Sequence, residues 1–136
     1  FLIIMRIGIN AIGSRRLYSV SNAMLHSLKE KGHDSILTSE YSYSLGSFDF
    51  LIFVTEPKGM FGGLLSSVAQ DLAKSGDLVG KRCLAMVQKR GFRSDRTLKK
   101  FMEALEHEGL VIVQGEVFSN IDTAIHIIAE VPLKRG

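Results

Sequence analysis

The sequence predicts a three-layer α/β domain: a doubly wound parallel sheet of five strands with helices on both faces. Apolar runs alternate with amphipathic stretches from end to end, which is the signature of strands joined by crossover helices. The most apolar run, Phe48-Asp49-Phe50-Leu51-Ile52-Phe53-Val54, shows no polar alternation after Asp49. A central strand buried on both faces needs that composition. Length sets the scale, since 136 residues suffice for one sheet covered twice but not for two independent cores. No Pro/Gly/Ser-rich linker, repeat or low-complexity tract interrupts the chain, so residues 1–136 are read as one domain.

Each element has its own warrant. Ile7-Gly8-Ile9 closes the first strand. From Leu17 to Lys31, Val20, Ala23, Met24, Leu25 and Leu28 recur at helical spacing, and Gly32 stops that helix. Asp34 to Thr38 is a short strand, and Ser39 to Ser47 is a polar loop or single turn holding Tyr41 and Tyr43. After the central strand, Phe61 to Ser75 is expected to be a helix. Its inward residues would be Leu64, Leu65, Val68, Ala69 and Leu72, and Gly76 its stop. Arg82 to Gln88 is a second buried strand. Ser94 and Asp95 are candidate caps for a helix running to His107 with Leu98, Phe101, Met102 and Leu105 on its apolar face. Leu110 to Val113 is the fifth strand, and Asn120 to Val131 is a final helix before Pro132.

Composition excludes several classes. Hydrophobic residues make up 46% and charged residues 23%, ordinary for a soluble protein. No apolar run approaches the roughly 20 residues that a bilayer crossing needs, so no membrane role is expected. The opening Phe1-Leu2-Ile3-Ile4-Met5 has no charged stretch before it and does not read as a signal peptide. Met5 is a candidate native start, which would make residues 1–4 an extension. A single cysteine, Cys83, rules out an internal disulfide and fits a reducing cytoplasm. It lies in an apolar strand, where a small buried hydrophobe is expected rather than a nucleophile. His26, His33, His107 and His126 are scattered away from metal-ligand spacing. There is no Ser-His-Asp order, paired carboxylate or Gly-x-x-x-x-Gly-Lys-Ser/Thr loop, and no catalytic residue is assigned.

The informative feature is a set of three loops, each following an apolar strand and each mixing glycine with positive charge. The first is Gly13-Ser14-Arg15-Arg16-Leu17. The second is Pro57-Lys58-Gly59-Met60-Phe61-Gly62, and the third is Gln88-Lys89-Arg90-Gly91-Phe92-Arg93. Parallel neighbouring strands would bring all three to one rim, and open parallel sheets bind ligands at the carboxyl ends of their strands. The net charge is only +3, but Arg15, Arg16, Lys58, Lys89, Arg90 and Arg93 place six of seventeen cations in these loops. Glu56 is the nearest acid, while Asp71, Asp77, Glu103, Glu106 and Glu108 lie in expected helices or on the other side. These loops are expected to receive a small anionic ligand. They lack a recognition element for nucleic acid.

From Arg6 to about Glu130 the chain resembles the flavodoxin-like family in its short form. The resemblance rests on order and spacing: a first unit ending in Lys31-Gly32-His33, then Phe48-Asp49 and an apolar strand through Thr55. A Pro and Gly-rich loop follows, then Gly80-Lys81-Arg82 leading a strand, then Gly91-Phe92 opening a helix. It implies the strand order 2-1-3-4-5 and a flavin mononucleotide (FMN) site on the rim. In that family the first loop holds the flavin phosphate, using hydroxyls and free amides at a helix start. The other two loops flank the flavin ring, often with aromatic side chains, which here would be Phe61 and Phe92 with Met60 beside them.

The chain also departs from the family. Its first loop lacks the run of Ser and Thr, it contains no Trp, and its rim is basic where electron-shuttling flavodoxins carry acids. A basic surround favours anionic reduced flavin and raises its potential. Two readings follow. One is an FMN protein in electron transfer, with a redox protein partner, or a small flavin or quinone reductase. The other is a flavodoxin-like domain without flavin, binding another anion or a protein partner. A homodimer is compatible with the sequence, which defines no interface for it.

Overall fold

The computed structural model describes residues 4–38 and 45–133. Tyr41, Tyr43 and most of the polar loop, together with the first residues ahead of Ile4, lie outside the described residues. The main elements in chain order are β1 (Arg6–Ile12), α1 (Arg16–Glu30), β2 (Asp34–Leu37), β3 (Phe50–Thr55) and a hairpin of β4 (Pro57–Lys58) and β5 (Gly63–Leu64). There follow α2 (Ser67–Ala73), β6 (Arg82–Gln88), α3 (Ser94–His107), β7 (Val111–Phe118) and α4 (Ile121–Glu130).

The five long strands form one sheet in the order β2-β1-β3-β6-β7, every neighbour parallel. With the hairpin set aside, this is the expected order 2-1-3-4-5. The sheet divides the core in two. Ile7, Ile9, Phe50, Ile52, Val54, Leu84 and Met86 pack against α1 and α4. Leu51, Phe53, Cys83, Ala85 and Val87 pack against α2 and α3. All six residues of β3 are buried, as alternate side chains of a strand covered on both faces must be. Cys83 is fully buried, and burial pushes its thiol up to about 12, so it is inert core.

Three expectations about elements are corrected. The helix expected from Phe61 begins only at Ser67. Residues Pro57 to Leu64 instead fold back as the β4–β5 hairpin, because Gly59 and Gly62 take positive φ values of 71° and 77° that end helical propagation. Ala69 is consequently exposed, while Val68 and Leu72 remain buried. The strand expected at Leu110 to Val113 runs on to Phe118. It is an edge strand of half-buried residues, and the end of the Met102 side chain packs over Gly115, where a Cβ would stand 2.6 Å from its Sδ. Finally, Ser94 and Asp95 do not cap α3. The cap is Arg93, a left-handed residue with φ 63° and no side-chain capping bond. Ser94 instead tethers the preceding loop, its hydroxyl accepting from Arg90 N–H and donating to Arg90 C=O.

Candidate functional site

Strands β1, β3 and β6 are adjacent and parallel, with Ile12 opposite Thr55 and Thr55 opposite Val87. Their carboxyl ends therefore reach the same rim, and the loop after each strand is one of the three basic glycine loops. A cleft of about 580 Å³ opens there, lined by Gly13, Ser14, Glu56, Pro57, Lys58, Gly59, Met60, Leu65, Ser67 and Arg90. That volume lies in the range of small-molecule sites. All three loops contribute to it.

At the centre of the rim stands Glu56, the residue directly after β3. Its side chain is 3% exposed. One carboxylate oxygen accepts the backbone N–H of Ser14 at 2.5 Å. The other accepts from Arg16 at 2.7 Å and from Arg90 at 3.4 Å. Burial alone would raise the Glu56 carboxyl, but the bonds from Ser14 and the bond and charge of Arg16 hold it below the usual range. Glu56 is thus ionised and saturated by groups from both flanking loops.

This contact explains why Arg16 can open α1. A helix N-terminus favours negative charge, yet α1 has no acid in its first turn and no side-chain cap. The anion comes instead from the neighbouring strand, as the Glu56 carboxylate on Ser14 N–H. Gly13 makes room for it: at φ 151° it adopts a backbone conformation L residues rarely take, and a Cβ there would stand 2.5 Å from Glu56 Oε2. Sequence reasoning placed Glu56 only as the acid nearest the rim. The available signal was its position between the most apolar strand and Pro57, at the tip of the central strand.

The other expected site residues fall into distinct environments. Leu17 is buried in the core beneath α1, so its side chain belongs to packing. Pro57 and Gly62 are buried, and Gln88 is half-buried with its side-chain oxygen unpartnered. Arg15, Lys58 and Lys89 are exposed and join no salt bridge to a described residue. Arg93 is exposed and pairs with Asp95 at 3.3 Å.

The second and third loops are clamped together. Phe92 N–H donates to Met60 C=O at 2.6 Å, and Phe61 bridges to Phe92 in parallel fashion. A Cβ on Gly62 would stand 2.2 Å from Arg93 C=O, and one on Gly91 would stand 2.9 Å from Met60 C=O. The backbones touch at glycines, so the side chains between them are forced outward. Phe61 is 70% exposed, Phe92 63% and Met60 52%. The two rings stack on each other at 6.1 Å between centroids and 22° between planes. That is the contact distance of an aromatic pair and leaves no space for a third ring between them.

Among the described residues no group of His, Cys, Asp and Glu gathers as a metal site, and no helix is long and apolar enough to cross a membrane. No protein-family model matches the chain, and no curated protein matches it.

Proposed function

We propose that this chain is a flavodoxin-like binding module that works without flavin and engages its partner at the rim. The observation that carries this reading is Glu56. Its carboxylate holds the Ser14 amide and the Arg16 and Arg90 guanidiniums, the groups that a flavin phosphate in the first loop would need. Displacing that carboxylate sacrifices the charge-assisted bond from the Ser14 amide, worth about 1.5–3 kcal/mol, and the contact of the half-exposed Arg16, worth about 0.5–1 kcal/mol. The stacking of Phe61 on Phe92 supports the same reading, since these rings fill the space a flavin ring between them would need. On this reading the protein is not an oxidoreductase, and a single buried thiol fits a cytoplasmic setting.

The size of the cleft favours a second reading, non-covalent FMN binding with electron transfer or flavin reduction, because about 580 Å³ would accept a flavin-sized ligand. Absorbance of the purified protein, followed by titration of FMN fluorescence, separates the two. The expected outcome is a colourless protein that leaves FMN fluorescence unquenched at equimolar and excess concentrations. Stoichiometric quenching would overturn the flavin-free reading in favour of the second.

A further inference from the structure

We infer that the Met60–Phe61–Phe92 knob is a docking surface for an acidic protein segment that carries an apolar anchor. The inference deepens the flavin-free reading by naming what the rim receives, and it rests on that reading only in leaving the rim vacant. Three neighbouring large apolar side chains more than half exposed are unusual on so small a domain, where exposed apolar residues are normally scattered singly.

The knob is built to stay exposed. Two backbone contacts, Phe92 N–H to Met60 C=O and the approach of Gly62 to Arg93 C=O, hold the loops together. Arg93 accepts a left-handed φ of 63°, a conformation that costs a non-glycine residue on the order of 1 kcal/mol or more. Phe61 and Phe92 stack on each other, which limits their rotamers before any partner arrives. A rigid, preordered aromatic pair loses little entropy on binding.

Charge selects the partner. Arg16, Arg90 and Arg93 are engaged with Glu56 or Asp95, but Arg15, Lys58 and Lys89 on the same rim join no salt bridge to a described residue. An acidic partner would pair these cations at the border while its apolar anchor covers the knob, the arrangement of an apolar centre and polar rim that protein interfaces use. A protein is favoured over a nucleic acid by the composition of the knob. Aromatic residues, Met and Arg are the residue types enriched at protein interfaces. A single-strand binder would instead offer separate faces for successive bases along a basic groove, whereas here the two rings face each other and the net charge is only +3.

The test titrates isotope-labelled protein with three probes. These are a peptide with a central Leu-Phe pair between Asp-Glu-Asp flanks, the same flanks around Gly-Gly, and a short oligothymidylate. Saturable amide shifts at Met60, Phe61 and Phe92 are expected with the first peptide. Affinity should fall about tenfold or more for the Gly-Gly peptide and for the Phe61→Ser/Phe92→Ser double variant, as for interface anchors. It should also weaken with salt. A Lys58→Glu/Lys89→Glu variant, which leaves the aromatic clamp intact, should lose binding to the same peptide. Equal affinity for both peptides, stronger binding of oligothymidylate at the same amides, or no shift with any probe would overturn the inference. FMN quenching in a separate cuvette would refute the flavin-free reading alone and leave the peptide result standing.

Discussion

The loop after β1 and the paired loops after β3 and β6 start from the same raw material, glycine beside cations at the end of a buried strand, and end as opposites. In the first, Arg16 is drawn onto a buried carboxylate and the glycine admits that carboxylate. In the second, the glycines admit backbone, and the apolar side chains are expelled into solvent. What differs is the neighbour: Glu56 stands against Gly13, while a carbonyl stands against each of Gly62 and Gly91. A loop's composition therefore says that something approaches closely, and only the approaching group says whether the loop becomes a polar lock or an apolar knob.

The largest expected effect tests the backbone contact behind the knob. Gly62→Ala puts a methyl group against Arg93 C=O at a φ of 77° and should destabilise the fold by about 3 kcal/mol, the scale of strained or overpacked sites. Thermal unfolding would register a fall on the order of 10 °C for a domain of this size. A change under a degree or two would mean the two loops are not rigidly joined.

Glu56→Leu comes next, since it leaves Ser14 N–H and two guanidiniums without their acceptor. A loss of about 2 kcal/mol is expected from the unpaired amide and lost charge-assisted bonds, measured by denaturant unfolding. The pH dependence follows from the lowered Glu56 carboxyl. A carboxyl held below its unfolded value contributes stability that is fully present above about pH 4.5 and is lost as pH falls through the lower folded value. Between pH 6 and 3 the wild type should therefore lose more stability than Glu56→Gln, and parallel curves would show that the carboxylate is not held in this way.

Smaller effects separate the two arginines. Arg16→Ala should cost about 0.5–1 kcal/mol and Arg90→Ala less, because both side chains are half exposed and screened and Arg90 stands farther away. Equal losses in a salt series would show that the two guanidiniums share the carboxylate evenly. The smallest effect belongs to the knob itself. Phe61→Ser and Phe92→Ser should each change stability by no more than about 0.5–1 kcal/mol, since exposed rings contribute mainly their mutual contact. A large loss would make the knob part of the fold rather than a surface for a partner.

Much of the fold is legible in the sequence because β3 and β6 carry uninterrupted apolar runs, Phe50 to Val54 and Cys83 to Val87, and α1, α3 and α4 keep a helical period. Their order then leaves few topologies once crossovers are right-handed. The β4–β5 hairpin was hidden because Leu64, Leu65, Val68 and Leu72 mimic a helical stripe that begins too early. The length of β7 was hidden because its edge position leaves Gln114, Gly115 and Glu116 half-buried, which removes the apolar signal. The rim was legible as a place, since strand ends and loop glycines mark it. The lock was not, because the pairing of Glu56 with Ser14, Arg16 and Arg90 depends on contacts between distant parts of the chain.

Gly13 and Glu56 lie far apart in the chain but compete for one small volume, since a Cβ at the first would stand where the carboxylate of the second now lies. They therefore form one sterically coupled pair. With the acid in place a side chain at position 13 would collide with it, and without the acid the positive φ of Gly13 would still disfavour one.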